Sequence, residues 1–127
     1  MKLEVAAKRM QLLKESFPQV VRVAVWMQKN IPDAKPELDQ VTLAARQLGV
    51  QLRVFELIDL RDLERAARES RQWSAQAVYV ASMPIGTKYR REIAAIIAEL
   101  RVPAIYPTLE QVAGAACNQL LARLAKN

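Results

Sequence analysis

The residues VVRVAVWM at Val20–Met27 decide the fold of this chain. The stretch is apolar and rich in valine, and only Arg22 interrupts it, which is typical of a strand buried on both faces. The polar run Gln28–Asp33 follows it directly. Because ligands of open α/β sheets bind at the carboxyl ends of central strands, we expect any pocket at this turn. None of its residues is an obvious catalyst.

Helices and further strands alternate around this central strand. Apolar residues at helical spacing predict the helices, and short apolar or alternating runs predict the strands. The predicted helices are Leu3–Ser16, Pro36–Leu48, Asp59–Trp73, Lys88–Arg101 and a last one that Thr108 caps. The predicted strands are Val20–Met27, Val50–Leu57, Gln76–Ala81 and Val102–Tyr106.

Strands that alternate with helices form parallel sheets with right-handed crossovers. We therefore predict one α/β domain over residues 1–127, a flavodoxin-like three-layer sandwich with a four-stranded parallel sheet of order 2-1-3-4 and five helices. This order places Val20–Met27 inside the sheet and Val50–Leu57 nearer its edge. The sheet has one strand fewer than that fold normally has.

Composition narrows the functional classes. The chain has 127 residues, one cysteine and no histidine, which excludes an intramolecular disulfide and argues against a zinc site and histidine-based catalysis. The net charge is +6, but most basic residues stand among acidic ones on predicted helix faces, so we expect no nucleic-acid partner. No stretch is apolar enough to cross a membrane or to act as a secretory signal, so the chain as written is expected to be cytoplasmic.

Several familiar sites are excluded by the loops. The turn after the first strand has no glycine, which rules out a dinucleotide fingerprint and a P-loop. That strand ends in Trp26 and Met27, not in the carboxylates of a receiver domain. Ser82–Thr87 before Lys88 could hold a phosphate at a helix N-terminus, although an ordinary loop is the favoured interpretation. We predict no enzyme and no cofactor.

Two aromatic residues, Trp26 and Tyr106, end predicted strands and could stack on a flat or apolar ligand. The alternative, which we favour, is that both cover the top of the core, because large aromatic side chains are mostly buried in any case.

Four segments read together resemble one family. The segments are KRMQLLKESFPQVVRVAVW (Lys8–Trp26), AARQLGVQLRVFEL (Ala44–Leu57), DLERAARESRQWSAQAVYVASMP (Asp62–Pro84) and RREIAAIIAELRVPAIYPTLEQVAGA (Arg90–Ala115). Their pattern is similar to the second lobe of bacterial ABC-transporter substrate-binding proteins of the tryptophan/tyrosine-binding kind. The resemblance covers nearly the whole chain and is silent on the ligand.

The resemblance implies a non-catalytic lobe of a clamp that closes around a small molecule such as an amino acid. It implies ligand contacts from the loops Gln28–Ile31, Ser82–Ile85 and Tyr106–Thr108. The candidate contact residues in and beside these loops are Trp26, Gln28, Asn30, Ser82, Met83, Thr87, Tyr106 and Thr108. The family is periplasmic or lipid-anchored outside the cytoplasm.

The chain also departs from the family pattern. We expect the chain to lack the first lobe and the anchor of the family, and binding therefore to be weak at most. The Val102–Tyr106 edge is expected to lie open, which favours a homodimer through that edge or through an apolar helix face. The alternative function is a stand-alone scaffold, reduced or designed, that self-associates and binds no ligand.

Overall fold

The computed structural model describes residues 3–106 of the chain. Helices and strands alternate in this range, except that two helices follow one another between the last two strands. In chain order they are α1 (Leu3–Ser16), β1 (Arg22–Met27), α2 (Ala34–Leu48), β2 (Gln51–Glu56), α3 (Asp62–Gln72), β3 (Ala77–Val80), α4 (Pro84–Lys88), α5 (Arg90–Leu100) and β4 (Ala104–Ile105). The helix predicted to start at Thr108 lies outside the described residues.

The four strands form one parallel sheet in the order β2-β1-β3-β4. β1 pairs along its whole length with β2, from Arg22 opposite Gln51 to Met27 opposite Glu56. On its other side it pairs with β3, so that Trp26 lies opposite Val80. The predicted order is confirmed, with β1 inside the sheet and β2 at its edge.

Side chains of β1 enter two separate cores. Val23, Val25 and Met27 point to one face, where they pack with α1 and α2. Ala24 and Trp26 point to the other face, where they pack with α3, α4 and α5. All five residues are at most 1% exposed. The predicted three-layer sandwich and the burial of β1 on both faces are therefore confirmed.

The segment after β3 differs from the prediction. Ser82–Thr87 was expected to be a loop, but Pro84 opens the short helix α4 there, as suits a residue with a fixed φ and no N–H. At Tyr89 the backbone leaves helical geometry, with φ of −115° and ψ of 33°. α5 therefore starts at Arg90 rather than continuing from Lys88.

The start of α3 also shifts from the predicted Asp59 to Asp62. The Oδ2 atom of Asp62 accepts the backbone N–H of Asp59 at 3.2 Å and that of Ile58 at 2.7 Å. The Oδ1 atom of Asp59 accepts the N–H of Arg61 at 2.9 Å. This pair closes a turn at residues 59–62, and the helix itself begins only at Asp62.

Candidate functional site

After β1 and after β3 the chain continues on opposite faces of the sheet. After β1 it enters α2, which packs on one face, and after β3 it enters α4 and α5, which pack on the other. A crevice opens between two such adjacent strand ends, and it is the usual ligand site of open α/β sheets. Extending the pairing of Trp26 with Val80 by two residues places Gln28 beside Ser82 in this crevice.

Gln28 brings an unmatched acceptor to the crevice. Its side chain is half-buried, and its Oε1 atom is fully buried without a hydrogen-bond partner in the described part of the chain. Leaving a buried polar atom unpaired costs about 1 to 3 kcal/mol. Such unpaired atoms are rare in folded proteins, and a bound water or a donor group of a ligand can supply the partner.

Glu37, in the first turn of α2, is a buried charged residue next to the crevice. It is 5% exposed. Its Oε2 atom accepts the Tyr79 hydroxyl at 2.8 Å, and its two carboxylate oxygens lie 3.1 and 3.3 Å from the backbone N of Ser82, which donates to them. The Nη1 atom of Arg9 lies 3.6 Å from Oε2 and 3.5 Å from the Tyr79 hydroxyl oxygen. This cluster ties α1, α2 and β3 to the segment that enters α4.

Burial sets the ionisation of the two acidic groups in this cluster. Desolvation raises the pKa of Glu37 above 4.5, and the nearby charge of Asp33 adds to the rise, although the hydrogen bonds from Tyr79 and Ser82 and the charge of Arg9 oppose it. Burial also raises the pKa of the Tyr79 hydroxyl above its ordinary value. Tyr79 is therefore protonated near neutral pH, and its hydroxyl donates a hydrogen bond to the Glu37 carboxylate.

The raised pKa of Glu37 predicts a pH dependence of stability. The folded protein holds the proton of Glu37 more strongly than the unfolded chain, so this stabilisation is complete below pH 4.5 and is lost as the pH rises through the raised pKa. Glu37→Gln cannot titrate and should lack that loss. Urea denaturation of both proteins from about pH 4 to pH 8 measures it. A gap between the two free energies of unfolding that stays constant over this range would contradict the assignment.

The periodicity of α2 contains a signal that Glu37 is buried. The apolar stripe of α2 includes Val41 and Ala44, and Glu37 precedes Val41 by one helical turn. A carboxylate on a buried stripe requires buried partners. The partners, however, come from other elements, so the sequence alone does not identify them.

The predicted site residues lie in different surroundings. Gln28 and Ser82 meet at the crevice, and both are half-buried. Asn30 is exposed in the loop after β1 and Thr87 is exposed on α4, whereas Met83 is 6% exposed and packs in the core. Thr108 lies outside the described residues.

The two aromatic candidates belong to the core on the α3 and α5 side. Trp26 is fully buried, and its Nε1 donates to the Ser70 hydroxyl at 3.0 Å. It therefore offers no surface to a ligand in this structure, and its prediction as a contact residue is wrong, because its side chain points to the face covered by α3. Tyr106 is half-buried and packs against the same core, and burial raises its pKa to about 12.

A different opening lies beside the edge strand β2. It is an open groove of about 490 Å³ between β2 and the C-terminal half of α3. Its lining residues are Arg53, Val54, Phe55, Glu69, Gln72 and Trp73. The rings of Phe55 and Trp73 form its apolar part, with centroids 6.5 Å apart and planes tilted by 58°. The groove runs along the middle of β2, away from the crevice between β1 and β3.

Within residues 3–106, no cluster of histidine, cysteine, aspartate or glutamate side chains could hold a metal ion. Among the helices of the same range, none is long and apolar enough to cross a membrane.

Comparison with protein-family profiles gives no match, and comparison with curated proteins gives none either. Solved structures do match. An ABC domain from Streptococcus pneumonia in complex with L-Trp superimposes with a TM-score of 0.76 at 12% identity, over 96% of this chain and 46% of that one. An ABC transporter substrate-binding protein from Desulfitobacterium hafniense in complex with Leu gives 0.61 at 18% identity, over 82% of this chain and 31% of that one.

A putative transcription repressor of the LacI family from Corynebacterium glutamicum gives a TM-score of 0.58 at 15% identity, over 94% of this chain and 56% of that one. The chain thus spans about half or less of the proteins that it matches. It has the α/β fold of a single lobe of ABC-transporter substrate-binding proteins, as the sequence resemblance implied. At these identities the likeness concerns the fold.

Proposed function

We propose that this chain acts as one lobe of a small-molecule-binding protein and holds an amino-acid-like metabolite in the crevice between β1 and β3. The observation that carries the proposal is the buried Oε1 atom of Gln28 at the end of the central strand, for which residues 3–106 supply no hydrogen-bond partner. Ser82 is the neighbouring residue at the end of β3, Asn30 is exposed in the loop after β1, and Thr87 is exposed on α4. The complexes of two similar structures with L-Trp and Leu support this ligand class.

The proposed role is binding without catalysis. Three ionisable groups next to the crevice, those of Arg9, Glu37 and Tyr79, engage one another and lie largely buried. Acid–base catalysis requires a group within reach of the substrate proton. A single lobe covers only part of a ligand, so we expect a dissociation constant of about 1 mM or weaker.

A second candidate function is a self-associating scaffold without a ligand. Exposed apolar side chains favour it, above all Ile58 and Leu60, which are 57% and 38% exposed after β2. β4 contributes a further short edge of the described sheet. Under this alternative a second copy of the chain would cover these surfaces.

Gln28→Leu separates the two candidates. L-Trp or L-Leu at ten times its dissociation constant should raise the thermal midpoint of the unaltered protein by about 5 °C. Gln28→Leu should lose that shift, while its own midpoint stays equal or rises, because an unpaired buried oxygen is removed. Gln47→Leu, at an exposed position of α2, is the matched control and should keep the shift. A dimer that responds to no ligand would favour the scaffold instead.

A further inference from the structure

The backbone N–H of Ser82 already donates a hydrogen bond within the protein. Free N–H groups in the loops after parallel strands are the usual anion-binding donors of this kind of fold. Here the Ser82 N–H donates to the Glu37 carboxylate, at 3.1 Å from Oε1 and 3.3 Å from Oε2. An anionic ligand group in the crevice would therefore find this donor occupied and a negative charge behind it.

The residues that follow Ser82 offer few replacements. Pro84 is the first residue of α4 and has no N–H. The N–H groups of Gly86 and Thr87 both point to the carbonyl oxygen of Met83, at 3.0 and 3.4 Å. The unmatched buried group at the crevice is instead an acceptor, the Oε1 atom of Gln28. Among the buried polar side-chain atoms of residues 3–106, this acceptor is the one without a partner, so the local balance favours a ligand group that donates a hydrogen bond.

The charges around the crevice do not reverse this balance. Arg9 interacts with the Glu37 carboxylate and with the Tyr79 hydroxyl, its Nη1 atom lying 3.6 and 3.5 Å from their oxygen atoms. Lys29 and Lys88 are exposed, and the Nζ atom of Lys88 lies 5.3 Å from the centroid of the Tyr89 ring. Exposed cations of this kind are screened by salt and contribute little to a specific contact.

We propose that Glu37 is a positioning residue that sets the ligand chemistry of the crevice: by occupying the Ser82 N–H it disfavours anions and leaves the lobe suited to a ligand group that donates hydrogen bonds, such as an ammonium or an amide. This inference rests on the proposed function, because it needs a ligand at the crevice. Glu37 itself does not touch the ligand; it acts through Ser82.

Two probes that share one side chain test the preference. L-leucinamide carries an ammonium and an amide but no carboxylate, whereas 4-methylpentanoate has the same isobutyl group and a carboxylate but no donor. Titrations followed by ¹⁵N-resolved NMR report the affinity and the site together, through the signals of Gln28 and Ser82. We expect L-leucinamide to bind the unaltered protein about tenfold or more tightly than 4-methylpentanoate.

Two substitutions at Glu37 change the crevice in graded steps. Glu37→Gln removes the charge and keeps an oxygen for the Ser82 N–H, so the preference for L-leucinamide should shrink. Glu37→Leu also releases that N–H, so the preference should vanish or reverse. Glu69→Gln, an exposed position on α3, removes the same charge far from the crevice and should leave the preference unchanged. If Glu37→Leu does not fold, the comparison of Glu37→Gln with Glu69→Gln tests the inference.

The outcomes that overturn the inference differ from those that overturn the proposed function. If 4-methylpentanoate binds the unaltered protein at the crevice as tightly as L-leucinamide, the inference is wrong and the binding function stands. The same holds if the preference is unchanged in folded Glu37 variants. If neither probe, nor L-Leu, shifts the signals of Gln28 or Ser82 at tens of millimolar, both are wrong.

Discussion

Trp26→Ala is expected to lower the free energy of unfolding by about 4 kcal/mol, because large-to-small changes at buried aromatic residues leave cavities of that cost. Trp26 is the largest fully buried side chain of the described chain, and it packs among the residues that join the sheet to α3 and α5. The substitution also removes the hydrogen bond of 3.0 Å that the Trp26 Nε1 donates to the Ser70 hydroxyl. Urea denaturation followed by far-UV circular dichroism measures the loss.

Trp73→Ala serves as the matched control. Trp73 is only half-buried at the end of α3, where its ring borders the open groove. Its removal should therefore cost clearly less than that of Trp26. Equal losses at the two positions, or a loss below about 1 kcal/mol for Trp26→Ala, would contradict the placement of Trp26 in the core.

Glu37→Leu is expected to cost about 3 kcal/mol, since removing one partner of a buried charged cluster leaves the others unsatisfied. The Tyr79 hydroxyl and the Ser82 N–H both lose their acceptor, and Arg9 loses a nearby carboxylate. Glu37→Gln should cost less, because its amide oxygen can accept one of these hydrogen bonds. Denaturation at one fixed pH compares the three proteins.

A double-mutant cycle with Tyr79→Phe identifies the source of the loss. If the Glu37–Tyr79 hydrogen bond of 2.8 Å contributes to it, the double variant Glu37→Leu/Tyr79→Phe should lose less than the sum of the single variants. Strict additivity would mean that the two side chains do not stabilise each other, and the cluster would then be a set of independent contacts.

The architecture could be predicted from the sequence because it depends on local patterns of apolar and polar residues. The valine-rich run through Val20–Met27 predicted a strand covered on both faces, and the alternation of strands and helices predicted the parallel sheet. Element ends were less predictable. The N–H groups of Ile58 and Asp59 bond to the Asp62 carboxylate, and such a turn can either start a helix or precede one.

The site was predictable only at the level of loops. Strand order alone brings Gln28 and Ser82 together, and both were candidates. Whether a side chain near a strand end lies at the crevice or in a core depends on where the strand ends: Trp26 is still within β1 and enters the core on the α3 side, whereas Gln28 lies just beyond the last residue of β1. The Glu37 cluster joins residues 9, 37, 79 and 82, a set that no sequence spacing connects.

The measurement that tests the central claim most directly is a ¹⁵N-resolved NMR titration of the unaltered chain with L-Leu and L-Trp at millimolar concentration. The account predicts shifts confined to residues 28–33 and 81–87, at the carboxyl ends of β1 and β3. It also predicts no response from the indole of Trp73 in the groove beside β2. Shifts centred on that groove, or no shift at the crevice with either amino acid, would contradict the account.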